Sequence, residues 1–149
     1  MRLEYNKYAS CALKKAQKDA CTCHQKYTGT EHILLGLLAG EDTLAGKVLS
    51  DNGLTYEAYL NTILAESAVL GQAGGLPHVG YSPKADQVLT YAQQIASDME
   101  ETRIGTEHLL LALIRESDCI GTRLMKSMGI NIKKVFIDLL DATGMDRRD

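Results

Sequence analysis

The chain has 149 residues, 45% of them hydrophobic, with no tryptophan and one phenylalanine, which suits one compact body with a core of aliphatic side chains packed between helices. A formal charge of −3 supplies no basic footprint for a nucleic acid or an anionic membrane surface. No window holds the ~18 consecutive apolar residues of a membrane span, and Met1-Arg2-Leu3-Glu4-Tyr5 leads into an amphipathic pattern rather than a signal peptide, so the chain reads as a cytoplasmic protein with Cys11, Cys21, Cys23 and Cys119 as reduced thiols.

From Asn6, the apolar positions Ala9, Ala12, Leu13, Ala16, Ala20 and Cys23 follow helical spacing, with Lys7, Lys14, Lys15 and Lys18 on the other side. Asn6 is the expected N-cap. The run through Tyr27 leads to Gly29-Thr30-Glu31-His32, which opens a second, strongly apolar helix ending near Gly40. Here the glycine is expected to admit an unusual backbone angle, the threonine to cap the first N–H groups, and the glutamate to complement the helix dipole. A short helix over Leu44–Asp51 stops at Gly53, with Leu49 and Leu54 placed as the partners of a Schellman motif. Thr55 is expected to cap a fourth helix carrying Tyr59 and Ile63.

A glycine-rich stretch with Pro77 then interrupts the pattern. Beyond it the whole order returns. A shift of 76 positions aligns residues 5–64 with 81–140 without a gap, about a quarter of the pairs being identical, and brings Gly29-Thr30-Glu31-His32 onto Gly105-Thr106-Glu107-His108. The second unit starts at Ser82 as N-cap with Pro83 at the first helical position, and Met125, Gly129 and Ile130 repeat the helix stop. A duplicated four-helix unit is the expectation: repeat 1 over about 5–66, a linker over about 67–80, repeat 2 over about 81–141 and a frayed tail.

Cys21-Thr22-Cys23-His24 with Cys11 gathers soft ligands, but C-x-C inside a helix points its thiols apart and lacks the paired spacing of a zinc site. His32 and His108 sit in the first turn of apolar helices without a partnered nucleophile, which favours hydrogen-bonded packing over acid–base catalysis. There is no phosphate-loop motif. Neither an enzyme nor a cofactor is expected. The remaining feature is a combination: helix starts at Asn6 and Ser82 offer free N–H donors to an anion, and Glu31 and Glu107 offer carboxylates to a guanidinium. If each start lay beside its glutamate, the pair would suit a ligand carrying both charges.

The doubled Gly-Thr-Glu-His-hydrophobic-Leu-Leu block, each copy preceded by an amphipathic helix and followed by a glycine-ended one, resembles the N-terminal domain of Clp/Hsp100 AAA+ unfoldases, most similar to the ClpC group. The resemblance covers about 4–141. It implies an all-α fold, two pseudo-twofold-related four-helix repeats packed as one compact eight-helix domain, monomeric in isolation. It implies a docking role for substrate proteins and adaptor proteins, with the ClpP peptidase reached only through the ATPase ring further along a parent chain. It further implies recognition of phosphoarginine, with Glu107 or Glu31 holding the guanidinium and the helix start holding the phosphate. Carried onto this chain, the residues are Asn6 and Lys7 in the first repeat and Ser82, Pro83 and Lys84 in the second, where Ser82 and Glu107 form the preferred pocket. Glu4 is expected to repel phosphate at the first site. Adaptor docking without phosphoarginine, or a free-standing regulator without an ATPase, are the alternative readings.

Overall fold

A computed structural model describes residues 3–23, 25–70 and 80–143. Eight helices appear among them, four in each repeat: α1 (Lys7–Thr22), α2 (Thr30–Ala39), α3 (Leu44–Asp51) and α4 (Tyr56–Leu70), then α5 (Pro83–Asp98), α6 (Thr106–Arg115), α7 (Ile120–Ser127) and α8 (Ile132–Thr143). The expected starts and stops are where the residue chemistry puts them. Asn6 Oδ1 accepts from Ala9 N at 2.8 Å and Ser82 Oγ from Ala85 N at 3.1 Å, so both long first helices are side-chain capped. Thr55 and Asn131 cap α4 and α8 in the same way.

The two short helices end identically. Gly53 (φ +91°) and Gly129 (φ +84°) take the left-handed backbone that a side chain disfavours. Leu54 N then donates to Leu49 O and Ile130 N to Met125 O, both at 3.1 Å, closing Schellman turns that bring those side chains together. Helix α4 runs through Leu70, past the boundary expected at 66, and Gly80 already belongs to a strand. The rest of the expected linker and the tail after 143 lie outside the described residues.

Four two-residue strands among the described residues were not expected from helical periodicity, and they join the repeats: β1 (Glu4–Tyr5), β2 (Tyr27–Thr28), β3 (Gly80–Tyr81) and β4 (Arg103–Ile104). β1 pairs in parallel with β4, and β2 with β3, so each pair joins one repeat to the other. The two registers, Tyr5 opposite Ile104 and Thr28 opposite Tyr81, exchange under the same shift of 76 that relates the sequences. Local sequence signals cannot announce such strands, because two residues carry no periodicity and the ladder partner lies in the other repeat.

The core is continuous across both repeats. Ile33, Leu34, Leu37, Leu49 and Tyr59 from one half and Leu109, Leu110, Leu113, Met125 and Leu139 from the other are fully buried in one cluster. Helix α2 packs on α7, and α3 on α6 and α8, so each repeat completes its neighbour's apolar faces.

Candidate functional site

The block shared by the repeats does its work across the repeat boundary. Thr30 Oγ1 accepts from Gly121 N at 2.9 Å, and Thr106 Oγ1 accepts from Ala45 N at 3.5 Å. Those amides lie in the first turns of α7 and α3. Each threonine thus caps a helix of the opposite repeat, correcting the expectation that it caps its own. The histidine takes that local task instead: His32 Nδ1 and His108 Nδ1 accept from Gly29 N and Gly105 N at 2.9 and 2.8 Å, closing the turn that enters each apolar helix. An accepting Nδ1 places the proton of His108 on Nε2, and burial pushes its pKa below the ordinary value against the opposing fields of Glu107 and Glu101. Both histidines are buried packing groups, as their position predicts.

The glycines also serve a purpose other than the expected one. Gly29 (φ −95°, ψ −178°) and Gly105 (φ −107°, ψ 178°) are ordinary extended residues. Their missing side chain is what matters, because the following glutamate folds back over the vacant space: a Cβ on either glycine would stand 2.4 Å from Oε1 of Glu31 or Glu107. The carboxylate is therefore held against the backbone at the helix start.

The strand pairs decide which helix start each glutamate meets. Asn6 N donates to Ile104 O at 2.9 Å, beside Gly105, and Asn6 Nδ2 comes within 3.1 Å of the point where a Gly105 Cβ would sit, next to Glu107. In the other half Ser82 N donates to Thr28 O at 3.0 Å, beside Gly29 and Glu31. The sites are crossed: Asn6 of repeat 1 with Glu107 of repeat 2, and Ser82 of repeat 2 with Glu31 of repeat 1. The sequence reading paired Ser82 with Glu107. That pairing fails because the strand partners of each cap come from the opposite unit, a fact invisible to spacing along the chain.

The two crossed sites differ in detail. At the first, Lys7 and Tyr8 contribute free N–H groups at the start of α1, whereas Pro83 removes one such donor from α5 and leaves that of Lys84. Lys7 is exposed with its ammonium 5.4 Å from the Tyr8 ring centre. Glu4, expected to repel an anion, lies 3.7 Å from the Arg103 guanidinium, an exposed pair that offsets its charge. Lys84 turns away from its helix start, its Nζ 3.1 Å from Glu116 Oε1. At the second site Glu31 Oε1 is buried and has no hydrogen-bond partner among the described residues.

The four cysteines are free, Cys11 and Cys21 exposed and Cys23 and Cys119 buried. Burial, with the fields of Asp19 and Glu31, raises the Cys23 pKa. No three metal-ligating side chains gather among the described residues, and His24, the last member of the cysteine motif, lies outside them. No helix among the described residues is long and apolar enough to cross a membrane.

With this geometry in place, the comparison with known proteins is direct. The Clp repeat (R) N-terminal domain family matches residues 4–128 and, again, 80–147. The chain belongs to that family. ClpC of Staphylococcus aureus (strain USA300), an ATP-dependent Clp protease ATP-binding subunit, is 32% identical over 139 residues, covering 91% of this chain. The chain spans 16% of that relative's length. Among solved structures, the Hsp104 N-terminal domain of Candida albicans superimposes with a TM-score of 0.79 at 16% identity, covering 98% of this chain and 95% of the other. A ClpV N-domain, solved in complex with a VipB peptide, gives a TM-score of 0.69 at 21% identity, covering 93% and 88%. The all-α fold of this Clp N-terminal domain is thus shared with relatives whose sequences have diverged widely.

Proposed function

We propose that this Clp N-terminal domain docks substrate and adaptor polypeptides for a ClpC-like unfoldase, and that its two crossed sites receive phosphoarginine side chains. The docking role is supported by the similarity to ClpC and by the fold shared with a ClpV N-domain that holds a VipB peptide. The finer reading rests on one observation: a side-chain-capped helix start and a backbone-held glutamate are brought together twice, each time from opposite repeats.

The chemistry of that pairing suits a ligand with both charges. Free N–H groups at the positive end of a helix take phosphate oxygens, and a carboxylate takes a guanidinium through two parallel hydrogen bonds. Neither arginine nor inorganic phosphate alone uses both halves.

Calorimetry with free phosphoarginine, arginine and phosphate tests this. Phosphoarginine is expected to bind and the other two to bind at least tenfold more weakly. Glu31→Ala and Ser82→Ala should remove the same site, and Glu107→Ala and Asn6→Ala the other. No binding at millimolar phosphoarginine, or binding indifferent to both glutamates, overturns the phosphoarginine reading. Docking of substrates and adaptors is tested separately, by pull-down with this domain.

A further inference from the structure

Repeat 2 carries an apolar trough that belongs to neither crossed site. Helix α6 packs against both α5 and α8. Between those two flanking helices lies a groove of about 440 Å³, with Leu111 and Ile114 of α6 as its floor, Ile95 on one wall and Phe136 and Leu140 on the other. That volume falls within the ~300–1,000 Å³ of binding clefts. Phe136 stands 39% exposed, although an aromatic ring gains most from burial. The matching surface of repeat 1 is built differently: Asp19 stands at the position of Ile95 and Tyr56 at that of Ile132, and the Tyr56 hydroxyl donates to Asp19 at 2.7 Å.

One end of the trough is cationic. Arg115, the last residue of α6, is the one charged group lining it among the described residues, where repeat 1 has Ala39. Its guanidinium lies over the Tyr91 ring, 4.4 Å from the centre, and the Tyr91 hydroxyl accepts from Gln87 at 2.9 Å. A guanidinium carried on a ring face keeps its N–H edge for a carboxylate. Arg115 is in no ion pair among the described residues, and the neighbouring acids are engaged elsewhere. Glu116 is bonded to Lys84 at 3.1 Å and Asp118 adds to the same field. Asp98 accepts from Gln94 at 2.9 Å, Asp138 is bonded to Lys134 and Asn52, and Asp141 is outside the lining.

We infer that this trough receives an amphipathic helix of a partner polypeptide, its apolar stripe lying on α6 between α5 and α8 and an acidic side chain at the end of the stripe pairing with Arg115. The occupant is a helix because the walls are helices whose backbone groups are already bonded. They offer no strand edge to extend, whereas a helix brings its own hydrogen bonds and requires apolar contact alone. The acid follows from the lining, which holds a cation and no anion to oppose it. The inference rests on the docking role and gives it a surface, but it is independent of phosphoarginine, since no groove residue belongs to a crossed site.

The test follows amide chemical shifts of the isotopically labelled chain during titration with an alanine-based helical peptide, blocked at both ends. The peptide carries leucines at i, i+4 and i+7 and a glutamate at i+11, all on one face. Saturable shifts are expected at residues 111–115 and 136–140. The peptide with glutamine for glutamate is expected to bind about fivefold more weakly, as is the glutamate peptide to Arg115→Gln. Phe136→Ser should weaken both peptides about tenfold. Both side chains are exposed, so these variants are expected to fold, and Arg115→Glu should prefer the same peptide with lysine for glutamate. Shifts confined to other parts of the chain, equal binding of the glutamate and glutamine peptides, or no shifts at millimolar peptide overturn the proposal. Light scattering that shows the free chain pairing with itself through Phe136 also overturns it, assigning the face to a second copy. The pull-down that tests docking is scored apart from this titration, so a failure of either is seen alone.

Discussion

The two repeats share many of the contacts that join them, yet they differ both at that joint and where they face solvent. The strand pairs, the crossed threonine caps, the histidine turns and the Schellman stops recur at matched positions. Beside α5 of repeat 2 Lys84 pairs with Glu116, whereas the matching positions of repeat 1, Tyr8 and Gly40, line a cavity beside α1. A duplicated unit keeps the contacts that join its copies because each copy supplies the other's missing hydrogen bonds, whereas an outward cleft can change in one copy without disturbing the joint.

Breaking the joint from one side at a time measures how evenly it is shared. Tyr59 is fully buried and its hydroxyl donates to Gly121 O at 2.8 Å, crossing from α4 to α7, while its counterpart in repeat 2 is Val135. Burial raises the Tyr59 pKa and keeps that hydroxyl a donor. Tyr59→Ala should cost about 4 kcal/mol in denaturant unfolding and Val135→Ala clearly less, because the tyrosine leaves both a large cavity and an unsatisfied carbonyl. Equal losses would show that the joint does not depend on this asymmetry.

The threonine caps provide a finer contrast. Thr30 approaches a glycine amide at 2.9 Å and Thr106 an alanine amide at 3.5 Å, and the longer contact is at the limit of a hydrogen bond. Thr30→Val should therefore cost about 2 kcal/mol and Thr106→Val under about 1 kcal/mol, measured by chemical denaturation.

The smallest effect is one of pH. The neutral form of His108 holds Gly105 N and is favoured by burial, so its folded pKa lies below the ordinary 6.5. The unfolded chain binds the proton first. Stability is thus full above about pH 6.5 and falls as the solution is acidified below it, with a slope of at most ~1.4 kcal/mol per pH unit from this group. His108→Gln, which keeps an acceptor at that position, should flatten the acid limb in thermal unfolding against pH.

Much of this was legible in the residues. The duplication, the caps at Asn6 and Ser82, the glycine-ended short helices and the burial of both histidines follow from short-range rules that act within one helix or turn. The role of Thr30 and the partner of Ser82 were misread, since both depend on groups near 91 and 54 positions away that no spacing rule connects.

The sequence by itself determined that one helical unit occurs twice, where the capped helix starts and the glycine-ended stops fall, and which faces are apolar, because backbone hydrogen bonding and side-chain periodicity are settled within a few residues. Only the tertiary structure decided that the copies exchange their strands and caps, so that each glutamate meets the other repeat's helix start. It also decided that Lys84 and Glu116 pair in one repeat where their counterparts Tyr8 and Gly40 line a cavity in the other. Those outcomes depend on how two joined copies bury their shared surface, a free energy distributed over the whole core rather than written at any one position.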